Sequence, residues 1–361
     1  MRKKLTVMVT GVAGGGVGEQ IIKALRLSEI NYRIVGTDIT PYSKGLMEVD
    51  APYLLPPASD PSYIDKLLAL CRAEKVQAIF PGSEPELSII SRVRKLFSEG
   101  ENIFLPINPE IVIDIGLNKS KTVQFLSEKG YPFPKTVIVE SIKDAKRIDF
   151  FPVVVKPKAG SSGSKDVFIT QNEEELVSLL KYLYRDHDKL IVQEYIGGVN
   201  AEFTVGVLIS MDGKLINSIA VKRDILSGLS NKVKVINRSG NQELGSVLAI
   251  STGITQGEIG KFPEVSKTCE ELALAIGCRS TINIQCRLVN DEVHVFEINP
   301  RFSGTTSFRA MVGFNEPDLL LRKHILGERI EKNFRFRSGV IMRGLAERLI
   351  DPDRAMKVAR Q

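Results

Sequence analysis

The sequence predicts two kinds of fold in one chain, an α/β domain at the N-terminus and an α+β region after it. Residues 5–115 alternate short apolar runs with helical patterns, and this βαβ rhythm is typical of a parallel sheet covered by helices. Beyond residue 200 longer strands follow one another directly, joined by turns such as Met211-Asp212-Gly213. A chain of 361 residues can hold two or three domains that each bury a core.

The N-terminal region carries four apolar runs that predict strands, and a Gly-rich turn follows the first of them. The predicted strands cover residues 5–10, 32–38, 76–81 and 103–107, and the predicted helices cover 19–27, 64–72 and 86–96.

The second region begins with a helix predicted over 119–129, because Gly130 and two nearby prolines form a strong stop signal. Further strands are predicted at 151–156, 167–170, 190–196, 202–210 and 214–221, helices at 173–184, 265–276 and 317–326, and a hairpin at 280–299. Residues 331–361 are basic and predict no clear element.

Composition excludes several functional classes. The net charge of +6, from 49 Lys and Arg against 43 Asp and Glu, is mild, and no basic run is interleaved with aromatic residues. We therefore expect no nucleic-acid partner, and an anionic small substrate would suit the charge equally well. No apolar stretch reaches membrane-spanning length and the N-terminus lacks a signal-peptide core, so we expect a cytoplasmic protein without a membrane partner.

The cysteines and histidines predict no metal or redox centre. The four cysteines show no C-x-x-C spacing and lie mostly in apolar surroundings, which indicates buried free thiols. The three histidines lie far apart and form no H-E-x-x-H pattern.

The most informative stretch is the hairpin that ends in Phe296-Glu297-Ile298-Asn299-Pro300-Arg301. Alternation along a strand puts Glu297, Asn299 and Arg301 on one face. Two oxygen donors followed by a guanidinium suit a site that holds Mg²⁺ and phosphate together.

The hairpin register decides whether Gln285 joins this face. A two-residue turn at 290–291 leaves Gln285 on the side away from Glu297, whereas a three-residue loop over 290–292 pairs them. We favour the second register because it separates polar from apolar side chains. One face then carries Asn283, Gln285, Arg287, Glu297 and Asn299, and the other carries Ile282, Ile284, Cys286, Leu288, Phe296 and Ile298, with His294 its one polar member.

Two other motifs have alternative interpretations. The turn Gly11–Gly18 precedes Asp38 in the manner of a dinucleotide site, but its glycines do not fit G-x-G-x-x-G, so a tight turn without nicotinamide is favoured. A substrate anion at Gly14 and Gly15 stays an alternative. Lys156 ends a strand before a Gly/Ser loop, which can grip polyphosphate or be an ordinary surface loop.

Taken in order, these motifs resemble the ATP-grasp superfamily, in particular its carbamoyl-phosphate synthase and carboxylate–amine ligase branch. The resemblance rests on Leu117-Asn118-Lys119, Lys156-Pro157, the Gly/Ser loop, Gln193-Glu194-Tyr195-Ile196, Glu202-Phe203-Thr204-Val205, Asn283-Ile284-Gln285 and Glu297-Ile298-Asn299-Pro300-Arg301. It implies a Rossmann-like pre-ATP-grasp domain (1–117), a small lid subdomain (118–197), an antiparallel C-terminal subdomain (198–330) and an extension (331–361).

The resemblance also implies roles for individual residues. ATP would be bound by Lys119, Lys156, Ser161, Ser162, Gly163, Gln193, Glu194, Tyr195, Ile196 and Glu202, and by Lys222 or Arg223, between which the sequence does not choose. Mg²⁺ or Mn²⁺ would be held by Gln285, Glu297 and Asn299, and Arg301 with Lys156 would serve catalysis.

For the acceptor substrate the sequence offers Thr305, Arg309 and Glu84, besides Gly14 and Gly15. A salt bridge explains Arg309 equally well, and helix capping explains Glu84 nearly as well.

The predicted function is ATP-dependent ligation, in which a carboxylate becomes an acyl phosphate that an amine or ammonia attacks, with release of ADP and phosphate. Alternatives are carboxyphosphate or carbamoyl-phosphate chemistry from a single ATP-grasp unit, a nicotinamide-dependent dehydrogenase and a non-catalytic nucleotide sensor. Relatives are often dimers, so a homodimer is among the expected assemblies.

Overall fold

The N-terminal part of the chain is a parallel sheet with helices on its faces, as predicted. A computed structural model describes residues 4–158 and 166–359. The strand order is β3-β2-β1-β4, and residue Phe104 adds a parallel bridge to Ala78. The strands are β1 (Thr6–Val9), β2 (Arg33–Asp38), β3 (Ala51–Leu54) and β4 (Ala78–Phe80), and the helices are α1 (Val17–Arg26), α2 (Tyr63–Glu74), α3 (Glu84–Arg92) and α4 (Glu110–Leu117). The sequence had not predicted β3.

The Gly-rich turn brings α1 very close to the end of β1. A Cβ atom on Gly18 would lie 2.4 Å from the carbonyl oxygen of Gly11, so only glycine fits there. The glycine serves helix–strand packing, which is the role that the favoured interpretation of the turn gives it.

The middle of the chain is a four-stranded antiparallel sheet with its own core. Its order is β5-β8-β6-β7, and α6 covers it with Leu176, Leu180 and Leu183. The elements are α5 (Lys119–Lys129), β5 (Thr136–Val139), β6 (Val153–Pro157), β7 (Phe168–Thr170), α6 (Glu173–Leu183) and β8 (Leu190–Glu194).

The C-terminal part is a six-stranded antiparallel sheet in the order β15-β14-β9-β10-β13-β16, with a separate β11–β12 pair beside it. The strands are β9 (Glu202–Ile209), β10 (Leu215–Arg223), β11 (Asn231–Ile236), β12 (Val247–Ser251), β13 (Gly257–Gly260), β14 (Thr281–Val289), β15 (Glu292–Asn299) and β16 (Gly339–Ile341), and the helices are α7 (Pro263–Ala275), α8 (Thr306–Met311), α9 (Glu316–His324) and α10 (Pro352–Ala359). The sequence had not predicted the β11–β12 pair, α8 or α10.

The parallel sheet and the six-stranded sheet share one hydrophobic core. Val9 and Phe80 of the first pack in the same cluster as Leu208 and Val221 of the second. The rings of Phe80 and Phe302 meet edge to face at 5.5 Å. The opposite face of the six-stranded sheet packs on α7.

The 281–299 hairpin reaches the favoured pairing by a different route from the predicted one. Its loop has two residues, Asn290 and Asp291, both with positive φ (50° and 61°), so Val289 pairs with Glu292. A bulge then shifts the register between Gln285 and Cys286, and beyond it Gln285 faces Glu297. The predicted three-residue loop is wrong, although the pairing that it was meant to explain is right.

Candidate functional site

One cleft gathers most of the residues that the sequence singled out. It lies between the four-stranded sheet and the six-stranded sheet, and its cavity volume is about 240 Å³. Its lining includes Glu84, Lys119, Lys156, Gln193, Glu194, Tyr195, Ile196, Glu202, Gln285, Glu297, Asn299, Arg301 and Thr305. Ser161, Ser162 and Gly163 lie outside the described residues.

Two lysines enter the cleft from the smaller sheet and its preceding helix. Asn118 caps α5 by accepting from the backbone N–H groups of Ser120 and Lys121, so Lys119 is fixed at the first helical position. Lys156 on β6 is buried, and its Nζ donates to Gln193 Oε1 at 2.8 Å.

Burial lowers the pKa of Lys156 to about 8, with the positive charge of Lys119 acting in the same direction and the carboxylate of Glu297 opposing both. An anionic ligand in the cleft would favour the charged ammonium. Above about pH 8 the site should therefore take up a proton when it binds phosphate.

The segment Gln193–Ile196, predicted as the hinge that faces adenine, is held in place by side-chain contacts. The Nε2 of Gln193 donates to Thr136 Oγ1 at 3.0 Å. The hydroxyl of Tyr195 donates to the carbonyl of Ala249 at 3.1 Å, and Arg287 stacks over the Tyr195 ring at 4.4 Å. These contacts tie the hinge to β12 and β14.

Glu202, the residue predicted to bind ribose, is buried between two arginines. Its oxygens accept from Arg223 Nη1 at 2.9 Å, Arg287 Nη2 at 3.1 Å and Ser251 Oγ at 2.7 Å. Burial alone would raise the pKa of Glu202, but the charges of Arg223 and Arg287 hold it below its usual value. The carboxylate is thus ionised and strongly bonded within the protein, and its ribose role stays a prediction.

The structure separates Lys222 from Arg223. Arg223 lines the cleft and its Nη1 also donates to Gln285 Oε1 at 3.2 Å, whereas Lys222 is not among the lining residues. Successive residues of a strand point to opposite faces, so β10 can offer only one of the two. Of the two candidates that the sequence left open, only Arg223 lines the cleft, so Lys222 is not supported and the phosphate role of Arg223 stays a prediction.

The predicted metal ligands meet at the paired ends of β14 and β15. Glu297 Oε2 accepts from Gln285 Nε2 at 2.9 Å, and Asn299 Oδ1 accepts from Arg301 Nη2 at 3.1 Å. Within residues 4–158 and 166–359 no three His, Cys, Asp or Glu side chains group as metal ligands. Carboxylate and amide oxygens still suit Mg²⁺, which commonly takes further oxygens from bound phosphates.

These contacts divide the three candidate metal ligands, Gln285, Glu297 and Asn299, into two kinds. Glu297 and Asn299 both line the cleft with side-chain oxygens that could ligate a cation. Gln285 presents its amide nitrogen to Glu297 and its oxygen to Arg223, so it could ligate a shared cation only after its amide turned.

Arg301 links the six-stranded sheet to the N-terminal domain. Its Nε and Nη2 donate to Glu84 Oε1 at 3.1 and 2.7 Å, and its Nη1 donates to the carbonyl of Phe302 at 3.1 Å. Glu84 begins α3, where Ser83 serves as the cap by accepting from Glu86 N–H. Ser83 therefore caps the helix, and Glu84 lines the cleft.

The structure contradicts the substrate role predicted for Arg309. Its side chain is fully buried, and its Nη1 donates to Glu316 at 3.1 Å while its Nη2 donates to Asn283 at 2.6 Å. Gly206 makes room for it, since a Cβ there would lie 2.1 Å from Nη1. The salt-bridge alternative is the correct one.

Gly14 and Gly15 do not line the cleft. Both are exposed, and the backbone N–H of Gly15 donates to the carboxylate of Glu19. Because an acid of the protein itself occupies this helix N-terminus, the turn offers a poor place for a ligand's phosphate.

The sequence analysis missed two parts of the lining. Residues 249–253 and Thr255, at the end of β12 and just after it, form one wall, and no motif marks them. Phe296 lines the cleft instead of the core face, because the bulge in the hairpin falls at this residue. The alternating pattern around Phe296 gave no sign that this side chain would face the cleft.

Comparisons with known proteins agree with this geometry. The ATP-grasp domain matches residues 117–305, and the PylC-like N-terminal domain matches residues 12–104. The chain belongs to the ATP-grasp family.

A curated relative of this ATP-grasp chain is the carbamoyl phosphate synthase large chain of Clostridium beijerinckii. The two are 27% identical over 206 residues, which is 55% of this chain and 18% of the relative. The match thus spans about a fifth of the relative's length.

Solved structures share the fold at low identity. N5-carboxyaminoimidazole synthetase from Staphylococcus aureus superposes with a TM-score of 0.62 at 13% identity, over 93% of this chain and 81% of the other. D-alanine–D-alanine ligase from Bacillus anthracis, solved in complex with ATP, gives a TM-score of 0.54 at 15% identity, over 90% and 98%. These likenesses support the fold: a Rossmann-like N-terminal domain followed by the two-part ATP-grasp architecture. None of the helices in the described ranges is long and apolar enough to cross a membrane.

Proposed function

We propose that this protein is an ATP-dependent ligase that activates a carboxylate as an acyl phosphate for attack by an amine or ammonia. The observation that carries the proposal is the order of groups along one cleft. Contacts link these groups in turn: Lys156 donates to Gln193 of the hinge, the charge of Glu297 acts on Lys156, and Arg301 donates to Asn299 and to Glu84 of the N-terminal domain. This order matches a nucleotide, its phosphates, a cation and an acceptor.

The reaction forms and breaks two bonds. A carboxylate oxygen bonds to the γ-phosphorus of ATP while the bond from that phosphorus to the β,γ-bridging oxygen breaks, which releases ADP. The amine nitrogen then bonds to the acyl carbon, the carbon–oxygen bond to phosphate breaks, and the nitrogen loses a proton.

The residues of the cleft would act mainly by position and charge. Lys156 would neutralise the transferring phosphoryl group, and Arg301 would hold the incoming carboxylate and then the acyl phosphate. In the ligand-free pair, Arg301 already holds the carboxylate of Glu84 at 2.7 Å, which supports its capacity for this group. Glu297 and Asn299 would hold Mg²⁺ or Mn²⁺, which when bound would supply positive charge against the charge of the phosphates.

Bicarbonate is a second candidate for the carboxylate. The similarity to carbamoyl phosphate synthase large chain over 206 residues favours it. Carboxyphosphate would then be the activated intermediate, and ammonia its acceptor.

The direct test is a screen for ADP release from MgATP, with carboxylates, including bicarbonate, crossed with amines and ammonia. We expect ADP release that depends on one carboxylate. Hydroxylamine should intercept the acyl phosphate as a hydroxamate when the true amine is omitted. Tight MgATP binding without ADP release across the whole panel would favour a nucleotide sensor, and NADH binding without ATP binding would favour a dehydrogenase.

The Glu297→Gln variant tests the site itself. We expect ADP release to fall roughly a hundredfold, because the cleft loses the carboxylate that would hold the cation. Glu292→Gln is the matched control, since Glu292 lies on the same strand with its side chain 59% exposed and pairs with His294. Turnover by Glu297→Gln at the wild-type rate, with the true substrate, would overturn the site assignment.

A further inference from the structure

The C-terminal extension, residues 331–361, lies outside both segments that match known families, 12–104 and 117–305. It is nevertheless part of the fold. Its strand β16 pairs antiparallel with β13 at the edge of the six-stranded sheet, and its helix α10 packs against β3 of the N-terminal domain. The extension thus passes from one domain to the other.

Arg343 lies two residues after the end of β16 and is only partly exposed. Its guanidinium stacks on the ring of Phe308, with 4.8 Å from Cζ to the ring centroid. Its Nη2 donates to the carbonyl oxygen of Gly304 and to Gln20 Oε1, the latter at 3.5 Å. Its backbone N–H donates to Gln256 Oε1 at 3.1 Å. One arginine therefore contacts α1, the loop before α8, and the residue before β13.

One of these contacts is to a lining residue of the cleft and another is to the neighbour of one. Gly304 lines the cleft together with Ser303 and Thr305, and Gln256 follows Thr255, which also lines it. The Ser303 hydroxyl accepts from the backbone N–H of Thr305 at 2.9 Å, so the loop is a compact turn braced by its own side chain. Arg343 holds this turn from outside.

We propose that Arg343 is a positioning residue for the acceptor end of the cleft. It fixes the Ser303–Thr305 turn through the Gly304 carbonyl, and the turn in turn shapes the place where the carboxylate meets Arg301. The inference rests on the proposed ligase function. A planar guanidinium suits the task because it can stack on one group while it donates to others in its plane.

The test compares Arg343→Ala with wild type in the full-length protein, using MgATP and the carboxylate that the ADP-release screen identifies. We expect the KM for the carboxylate to rise roughly tenfold, because small displacements of positioning groups cost large factors in rate. The KM for ATP should stay within about twofold, since the nucleotide end of the cleft does not contact Arg343. The carboxylate KM of Arg343→Lys should lie between those of wild type and Arg343→Ala, because lysine keeps the charge and loses the planar guanidinium.

Arg337→Ala is the matched control. Arg337 also belongs to the extension and donates to a backbone carbonyl, that of Met311 at 2.8 Å, but Met311 does not line the cleft. This variant should leave both KM values unchanged. Hydrogen–deuterium exchange with MgADP bound should show faster exchange of the 303–309 amides in Arg343→Ala and not in Arg337→Ala.

A failure of the positioning role of Arg343 and a failure of the proposed ligase function would give different results. If wild type turns over a carboxylate and Arg343→Ala has the same carboxylate KM, or equal losses for ATP and carboxylate, the inference is overturned and the ligase function stands. If no carboxylate supports ADP release by wild type, the proposed function fails and the inference fails with it.

Discussion

Arg301 and Arg309 lie in one short segment, and each is paired with one glutamate, yet they occupy opposite environments. The Arg301–Glu84 pair joins two domains at the border of the cleft, with side chains 19% and 32% exposed. The Arg309–Glu316 pair is 0% exposed on both sides. The sequence offered both arginines as ligands of an anion. The two arginines differ in whether the side chain reaches the cleft, and this depends on the fold and not on the local sequence.

The closed pair is completed by the protein, whereas the open pair has room for a ligand. Glu316 also accepts from the hydroxyl of Thr281 at 2.6 Å, and Asn283 connects Arg309 to the hydroxyl of Thr204. Such a network loses stability when one member is removed, because the remaining charge stays buried without its partner. We expect Arg301 to exchange Glu84 for a bound anion with little loss in the free energy of unfolding.

The largest expected effect comes from breaking the closed pair. Arg309→Met should lower the free energy of unfolding by about 3–5 kcal/mol, since Glu316 would be left as a buried charge without a cation. Urea unfolding followed by circular dichroism measures this. The double variant Arg309→Met with Glu316→Leu should recover most of the loss, because both charges are then gone. A single variant as stable as wild type would mean that the pair contributes nothing.

Breaking the open pair should affect catalysis instead of stability. Arg301→Ala should reduce ADP release about 10²–10³-fold, because the acyl phosphate loses its cation. Its free energy of unfolding should change by less than about 1 kcal/mol, as is usual for partly exposed pairs. Steady-state kinetics and urea unfolding on the same preparation decide this. The comparison fails if Arg301→Ala unfolds as readily as Arg309→Met.

A smaller effect should appear in the pH dependence of nucleotide binding. The pKa of Lys156 is about 8 in the ligand-free protein, with burial as the main cause. Phosphate favours the charged ammonium, so above pH 8 binding must take up a proton, and the Kd for MgATP should rise up to about tenfold per pH unit. Below pH 8 the protonation of Lys156 should not change the Kd for MgATP, because the ammonium is already charged before binding.

Calorimetric titration between pH 7 and 9.5 measures the dependence of the Kd on pH. Lys156→Arg should flatten the curve, because guanidinium stays charged throughout this range. A Kd for MgATP that is constant from pH 7 to 9.5 in wild type would show that Lys156 does not meet the phosphates.

The sequence predicted all strands of the two ATP-grasp sheets except β5, β13 and β16, and it singled out many cleft residues, because these depend on local alternation and on motif order. Helix α5 was predicted with its observed bounds, since Asn118 caps its start and Gly130 ends it in a left-handed conformation (φ 71°). The side-by-side pairing of Gln285 and Glu297 was also predicted correctly.

The failures share a physical cause, which is that burial and register depend on distant parts of the chain. A bulge at Phe296 is invisible in a simple alternation, and it moved an apolar residue into the cleft. The full burial of Arg309 depends on Gly206, about a hundred residues earlier in the chain. The wall formed by residues 249–253 and Thr255 carries no motif, because its hydroxyls and backbone groups are common in any strand end or loop. The predicted domain limits stay predictions.

The core that unites the parallel sheet with the six-stranded sheet has a consequence for how the molecule comes apart. Val358 near the C-terminal end packs in the same cluster as Leu5 near the N-terminal end, so these two sheets should melt as one cooperative unit. The four-stranded sheet buries a separate cluster around Val155 and Leu180. We therefore expect it to loosen or tilt as a body more readily than the two united sheets, and the cleft lies along that boundary.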